Sequence, residues 1–240
     1  MTGGAAFVPL SARGRERLIA ALGLCQWPSL WCSNMWFFQS SCASCGVAAN
    51  GICTSCVNAL EPADVPPLLA VSSSSVLCSY SGVGAEIVQA LKFRNNRQVL
   101  GPLVDALAVS ISGDFDAVVS VPAHPQRRRQ RGFDIPELMA TRLSKRLSVP
   151  VAKPLTRVDD GSQTGRPRAE RQGVEFRASD RVPTRILLVD DVVTTGATAV
   201  SCALTLGLAG ARTISFAALA ATPPPKVETS TGPTAAVAGK

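Results

Sequence analysis

Apolar residues along this chain come in two kinds of block. Short runs of about four to six read as buried strands, at residues 76–80 (VLCSY), 117–121 (AVVSV), 186–189 (ILLV) and 213–218, and residues 149–151 begin another. Between them the spacing turns helical. Ile87, Val88 and Leu91 recur within 85–93, and Leu100, Leu103 and Leu107 continue the pattern. Leu138, Met139, Leu143 and Leu147 recur within 135–147, and the stretch 197–209 stops at Gly210. Continuous apolar strands alternating with helices predict an α/β domain over 68–222, its mostly parallel sheet covered by helices on both faces.

Three further segments flank that body. Residues 1–41 are a lead-in, with a short amphipathic helix over 15–27 followed by an aromatic loop. Residues 42–67 are Cys-rich. Residues 223–240, PPPKVETSTGPTAAVAGK, have a composition too poor in large apolar groups to pack, and are expected to be disordered.

Composition narrows the picture. Of 240 residues 46% are hydrophobic but only 5% aromatic, so the core is built of Ala, Val and Leu. The net charge is +7, and Arg carries it: residues 120–185 hold 13 Arg and 2 Lys against 7 acidic side chains. Such an excess suits nucleic acid, a phosphate-rich ligand, or simple solubility, and position must decide among them. The basic RGRER and apolar LIAALGLC near the start lack a small-residue cleavage site. Residues 18–38 are fairly apolar, but Gln26, Pro28, Ser33 and Asn34 interrupt them, short of the roughly 20 residues of a span. The Trp residues there are read as packing onto the body, with membrane contact as the alternative. The expected location is the cytoplasm, with any membrane association made through partners. Eight Cys in a reducing compartment point to metal rather than disulfides.

The most specific motif is ILLVDDVVTTGAT at 186–198. A strand delivers Asp190 and Asp191 to its carboxyl end, where ligands of open α/β sheets bind. Adjacent carboxylates accept hydrogen bonds from a vicinal diol. Val193, Thr194, Thr195, Gly196, Ala197 and Thr198 then form a loop and helix start whose N–H and hydroxyl groups suit a phosphate. A diol binder a few residues from a phosphate cradle fits one phosphorylated ribose. An acidic strand–helix turn is the plain alternative, and no Gly-Lys-Ser/Thr of a nucleotide P-loop occurs.

A second cluster follows the strand at 117–121: Pro122, Ala123, His124, Pro125, Gln126, then Arg127, Arg128, Arg129 and Arg131 before Gly132 and Phe133. Four Arg in five positions make an anion site, with a solvated loop or nucleic-acid patch as alternatives. His124, the single His, reads as a partly exposed loop residue rather than a catalyst. In the Cys-rich segment, Cys42-x2-Cys45-x7-Cys53-x2-Cys56 is two CxxC knuckles, able to close a structural tetrahedral Zn2+ site. Cys78 and Cys202 lie on apolar elements and read as core.

Together these residues carry a resemblance. The 190–198 motif with its strand resembles the phosphoribosyl pyrophosphate signature of type I phosphoribosyltransferases. With YSGVGAEIVQALKFRNNR, VVSVPAHPQRRRQRGFDIPELMATRLSKRLSVPV and the Cys module, the chain is similar to the ComF family over residues 42–219. The resemblance implies phosphoribosyl pyrophosphate and Mg2+ as ligands and a pyrophosphate arm at Arg131 and Gly132. It implies a hood over 159–177 in which Gln163 and Arg171 match family positions, though the Asn the family has between that Arg and a Phe is absent. Lys92 matches a family Lys, which approaches the ligand or caps its helix. The resemblance also implies a link to natural competence. That raises a non-catalytic alternative, a single-stranded DNA-binding protein with a partner in the competence machinery.

Overall fold

A computed structural model of the protein describes residues 41–94, 96–158 and 175–223. Five strands form one parallel sheet in the order β1-β7-β6-β2-β3: β1 (Ser73–Ser79), β2 (Ala117–Ser120), β3 (Val151–Ala152), β6 (Arg185–Val193) and β7 (Thr213–Ala221). The central strands are apolar on both sides because both sides are covered. Leu187 and Val189 of β6 face one core with Val118, Ala217 and Leu219, while Ile186 and Leu188 face the other with Val119, Phe216 and Ala218.

Over the first face lie α2 (Gly82–Phe93), α3 (Leu100–Ser110) and α5 (Ile135–Leu147). The α5 stripe Ile135, Met139 and Leu143 recurs every four residues and is buried throughout. Over the second face lies α6 (Ala197–Leu208), joined by an antiparallel pair, β4 (Leu155–Val158) and β5 (Glu175–Ala178). The expected α/β architecture, a parallel sheet with helices on both faces and a four-cysteine cluster in front, is what the structure has.

Four elements differ from the sequence reading, each for a local reason. The helical pattern beginning at residue 85 is two helices, separated at Arg94 and re-entered through a 3₁₀ turn, Arg97–Val99. Strand β6 continues past Val189 through both aspartates, because β7 still supplies partners: Asp190 pairs with Ala218, Val192 with Ala220 and Val193 with Ala221. The Arg-rich stretch is a helix, α4 (Pro125–Arg131), started by a His124 cap and Pro125 and closed by Gly132 in the left-handed region. Part of the segment that the resemblance assigns to a hood, residues 159–177, is strand β5, whose Phe176 is buried.

The Cys-rich segment adds a short helix, α1 (Thr54–Asn58), and packs into the main core. Cys42, Ala43, Ile52, Cys56, Val57 and Leu60 are buried with residues of α2, α3 and the sheet. Gly51 is needed there, since a Cβ would meet Val99 Cα at 2.8 Å. Arg94 donates to the Ala43 carbonyl at 3.1 Å, and Ser44 to the Glu86 carboxylate.

Candidate functional site

Strand β2 stops pairing one residue before β6 reaches its carboxylates. Its last partner is Ser120 with Val189, after which the Val121 N–H still donates to the Val189 carbonyl at 2.8 Å and the chain turns away. The overhanging end of β6 therefore has a free edge, and a cavity of about 470 Å³ opens against it. Asp190, Asp191, Val192, Thr194 and Thr198 line one wall. His124, Arg128, Arg131, Phe133 and Asp134 line another, with Lys92, Tyr80 and Arg157 at the sides.

The two aspartates differ. Asp191 accepts the Val192 N–H at 2.8 Å and pairs with Lys92 Nζ at 3.0 Å, both side chains largely buried. Asp190 accepts the Asp191 N–H at 2.8 Å and sits deeper. Burial pushes the Asp190 carboxyl well above the usual carboxylate range, and the neighbouring Asp191 charge adds to it. The Asp191 N–H and Lys92 pull the other way without winning. Lys92 reaches the site because α2 lies hard against the end of β1: a Cβ on Gly84 would stand 2.2 Å from the Ser79 carbonyl oxygen. At its last turn, α2 thus delivers a cation to the sheet's carboxyl end rather than capping itself.

The loop after β6 turns on Gly196, at φ +77 and buried against Leu68. Thr195 Oγ1 accepts the Ala197 N–H at 3.4 Å. Thr194 and Thr198 border the cavity, while the Val193 side chain fills the core below it. From α4, Arg128 and Arg131 border the cavity and Gly132 ends the helix. The Arg131 guanidinium lies over Phe93 at 5.8 Å, and Arg97 over Phe133 at 4.2 Å. Arg171 and Gln163 lie outside the described residues.

Three cavity residues carry signals that the sequence reading did not use. Tyr80 directly follows β1, so the rule that singled out Asp190 applies to it also. Arg157 stands on β4, whose partner is reached only across residues 159–174. Asp134 precedes α5 and makes no side-chain hydrogen bond to its first turn. Burial raises its carboxyl, and Oδ1 is the one buried side-chain polar atom without a hydrogen-bond partner among the described residues.

Near the start of the described residues, the Sγ atoms of Cys42, Cys45, Cys53 and Cys56 all lie within 4.8 Å of one another. A tetrahedral thiolate site with Zn–S of about 2.3 Å sets sulfurs about 3.8 Å apart. Cys45 and Cys53 are already at 3.6 Å, and the Cys53 N–H donates to Cys42 Sγ at 3.4 Å. Burial raises the Cys42 thiol, but N–H groups of Cys45, Cys53 and Ser44 outweigh it and bring it to about 6. The donor set fits a thiophilic ion such as Zn2+. No helix among the described residues is long and apolar enough to cross a membrane.

No family model matches the sequence, and no curated protein matches it. Solved structures similar to it include glutamine phosphoribosylpyrophosphate amidotransferase from B. subtilis, complexed with ADP and GMP. That match has 18% identity over 55% of this chain and 26% of that one, with a TM-score of 0.36. Orotate phosphoribosyltransferase from Aeropyrum pernix is 20% identical over 55% of this chain and 63% of its own, TM-score 0.34. Adenine phosphoribosyltransferase from Saccharomyces cerevisiae is 18% identical over 53% of this chain and 73% of its own, TM-score 0.37. The chain thus spans about a quarter of the amidotransferase and under two thirds of the orotate enzyme. At these identities no residue's role carries across.

Proposed function

We propose that the protein binds phosphoribosyl pyrophosphate with Mg2+ and transfers its phosphoribosyl group to an acceptor, as a phosphoribosyltransferase of ComF type. One observation carries this reading. A single cavity at the carboxyl end of the sheet brings together a carboxylate pair, a Gly-turned Thr loop and two Arg from a different connection. These match the diol, the 5-phosphate and the pyrophosphate of one ligand. Asp190 and Asp191 would accept from the ribose hydroxyls, the 194–198 loop would hold the phosphate, and Arg128 and Arg131 would take the pyrophosphate.

The reaction is displacement at the anomeric carbon, in which pyrophosphate leaves as positive charge builds on the ribose. Carboxylates at the ribose would stabilise that charge, and Arg side chains would stabilise the leaving group. Mg2+ brought in with the ligand would supply further neutralisation of the pyrophosphate, with Asp190 and Asp191 as the cavity carboxylates able to hold it. Thermal-shift titration tests the composite site. Phosphoribosyl pyrophosphate with Mg2+ should stabilise the fold more than ribose 5-phosphate or pyrophosphate separately, and equal responses would dismantle it. Pyrophosphate release on adding amine or nucleobase acceptors then tests transfer.

A second reading has an observation of its own. Phe93 is 76% exposed with Arg131 over it, and Arg97 stacks on Phe133 towards a groove lined by Arg94 and the Cys module. Alternating guanidinium and aromatic groups suit single-stranded DNA, and with it a role alongside competence-machinery proteins. Binding that falls steeply with salt, is lost in Phe93→Ala and ignores phosphoribosyl pyrophosphate would favour it.

A further inference from the structure

The strap between β2 and α4 is fixed on both sides of His124. Before it, the Val121 N–H donates to the Val189 carbonyl at 2.8 Å; after it, the Gln126 N–H donates to His124 Nδ1 at 3.2 Å. A backbone N–H is only a donor, so Nδ1 must carry a lone pair, and the neutral ring must hold its proton on Nε2. His124 lines the cavity beside Arg128 and Arg131, and Nε2 is the ring nitrogen that the cap does not use. The cap thus sets the tautomer and leaves an N–H donor among the cavity's cations.

We propose that His124 is a binding residue, donating from Nε2 to a phosphoryl oxygen of the pyrophosphate held between it and the α4 arginines. This rests on the pyrophosphate assignment made above. It differs from the sequence reading of a partly exposed loop residue, and from general acid catalysis, because the ring donates a hydrogen bond and keeps its proton. No proton transfer is required: anionic phosphoryl oxygens are strong acceptors, and Nε2–H adds one further donor to those of the guanidinium groups.

The cap and the donor can be separated. In His124→Asn the side-chain oxygen can still accept the Gln126 N–H, as Asn does at helix starts, but nothing replaces Nε2–H. His124→Ala loses both. Calorimetry with inorganic pyrophosphate and Mg2+ should show affinity reduced about tenfold in His124→Asn, the loss of one good hydrogen bond, with Tm near wild type. His124→Ala should lose the same affinity and some Tm as well.

The chain's single His also makes its ring nitrogens unambiguous in 15N NMR. The free protein should show the Nε2–H tautomer, and the Nε2 resonance should move on adding pyrophosphate. A purely structural His124 would leave that resonance and the His124→Asn affinity unchanged, which overturns the assignment alone. A wild type that binds neither pyrophosphate nor phosphoribosyl pyrophosphate overturns the site reading and this inference with it.

Discussion

Asp190 and Asp191 are adjacent carboxylates placed in different surroundings. Asp191 has a cation at 3.0 Å; Asp190 has burial and a neighbouring negative charge. A carboxyl raised in the folded state lowers stability at pH values above its unfolded range, and the penalty fades as pH falls through the folded value. Asp190→Asn keeps the acceptor for the Asp191 N–H while removing the charge. In the free protein it should raise stability by about 1 kcal/mol in denaturant unfolding near neutral pH, while weakening phosphoribosyl pyrophosphate binding. Loss of stability instead would mean that the charge is well compensated.

Asp105 shows the opposite sign far from the site. Its burial would raise it, but hydrogen bonds from Arg142, at 2.7 and 2.8 Å, and from Arg146 hold it at about 2. That stability is complete above the unfolded carboxylate range and disappears as pH falls towards 2. Asp105→Asn should remove it, flattening the acid limb of a pH–stability curve. Both arginines are about half exposed, so solvent screening limits the effect to about 1–2 kcal/mol.

At the scale of elements, the site depends on a mismatch in strand length. β6 outruns β2 by four residues, and the overhang presents its carboxylates at a free edge. The apolar run ILLV marked the strand but not its end, because pairing with β7 rather than side-chain type decides where β6 stops. The aspartates, the Thr loop and the Cys knuckles were legible because their chemistry is compressed into a few consecutive residues. Arg157, Tyr80 and the approach of Lys92 were not, since each depends on how distant segments fold against the sheet. The α4 helix was obscured by four Arg on a single two-turn element, with no apolar face to give a period.

The loop itself hangs on Gly196, at φ +77 with a would-be Cβ 2.3 Å from Leu68 Cδ2. Gly196→Ala should cost about 2 kcal/mol and weaken ribose 5-phosphate binding, measured by unfolding and calorimetry on one preparation. Unchanged binding would show that the loop does not hold the phosphate.

Across the whole molecule, the Cys segment and the sheet share one core. Ile52, Val57 and Leu60 are buried with Leu91, Leu103 and Leu107, and the C-terminal end of α2 touches both the module, through Arg94, and the carboxylate site, through Lys92. A metal assay should find about one Zn2+ per chain, and Cys53→Ser should lower the whole unfolding transition rather than split it in two. Two separated transitions would make the module an independent unit. The central claim, that the cavity is a phosphoribosyl pyrophosphate site, is tested most directly by calorimetric titration of that ligand with Mg2+. Wild type should bind, and Asp190→Asn/Asp191→Asn should lose at least about tenfold in affinity while still folded. Equal binding by the two proteins would contradict the account.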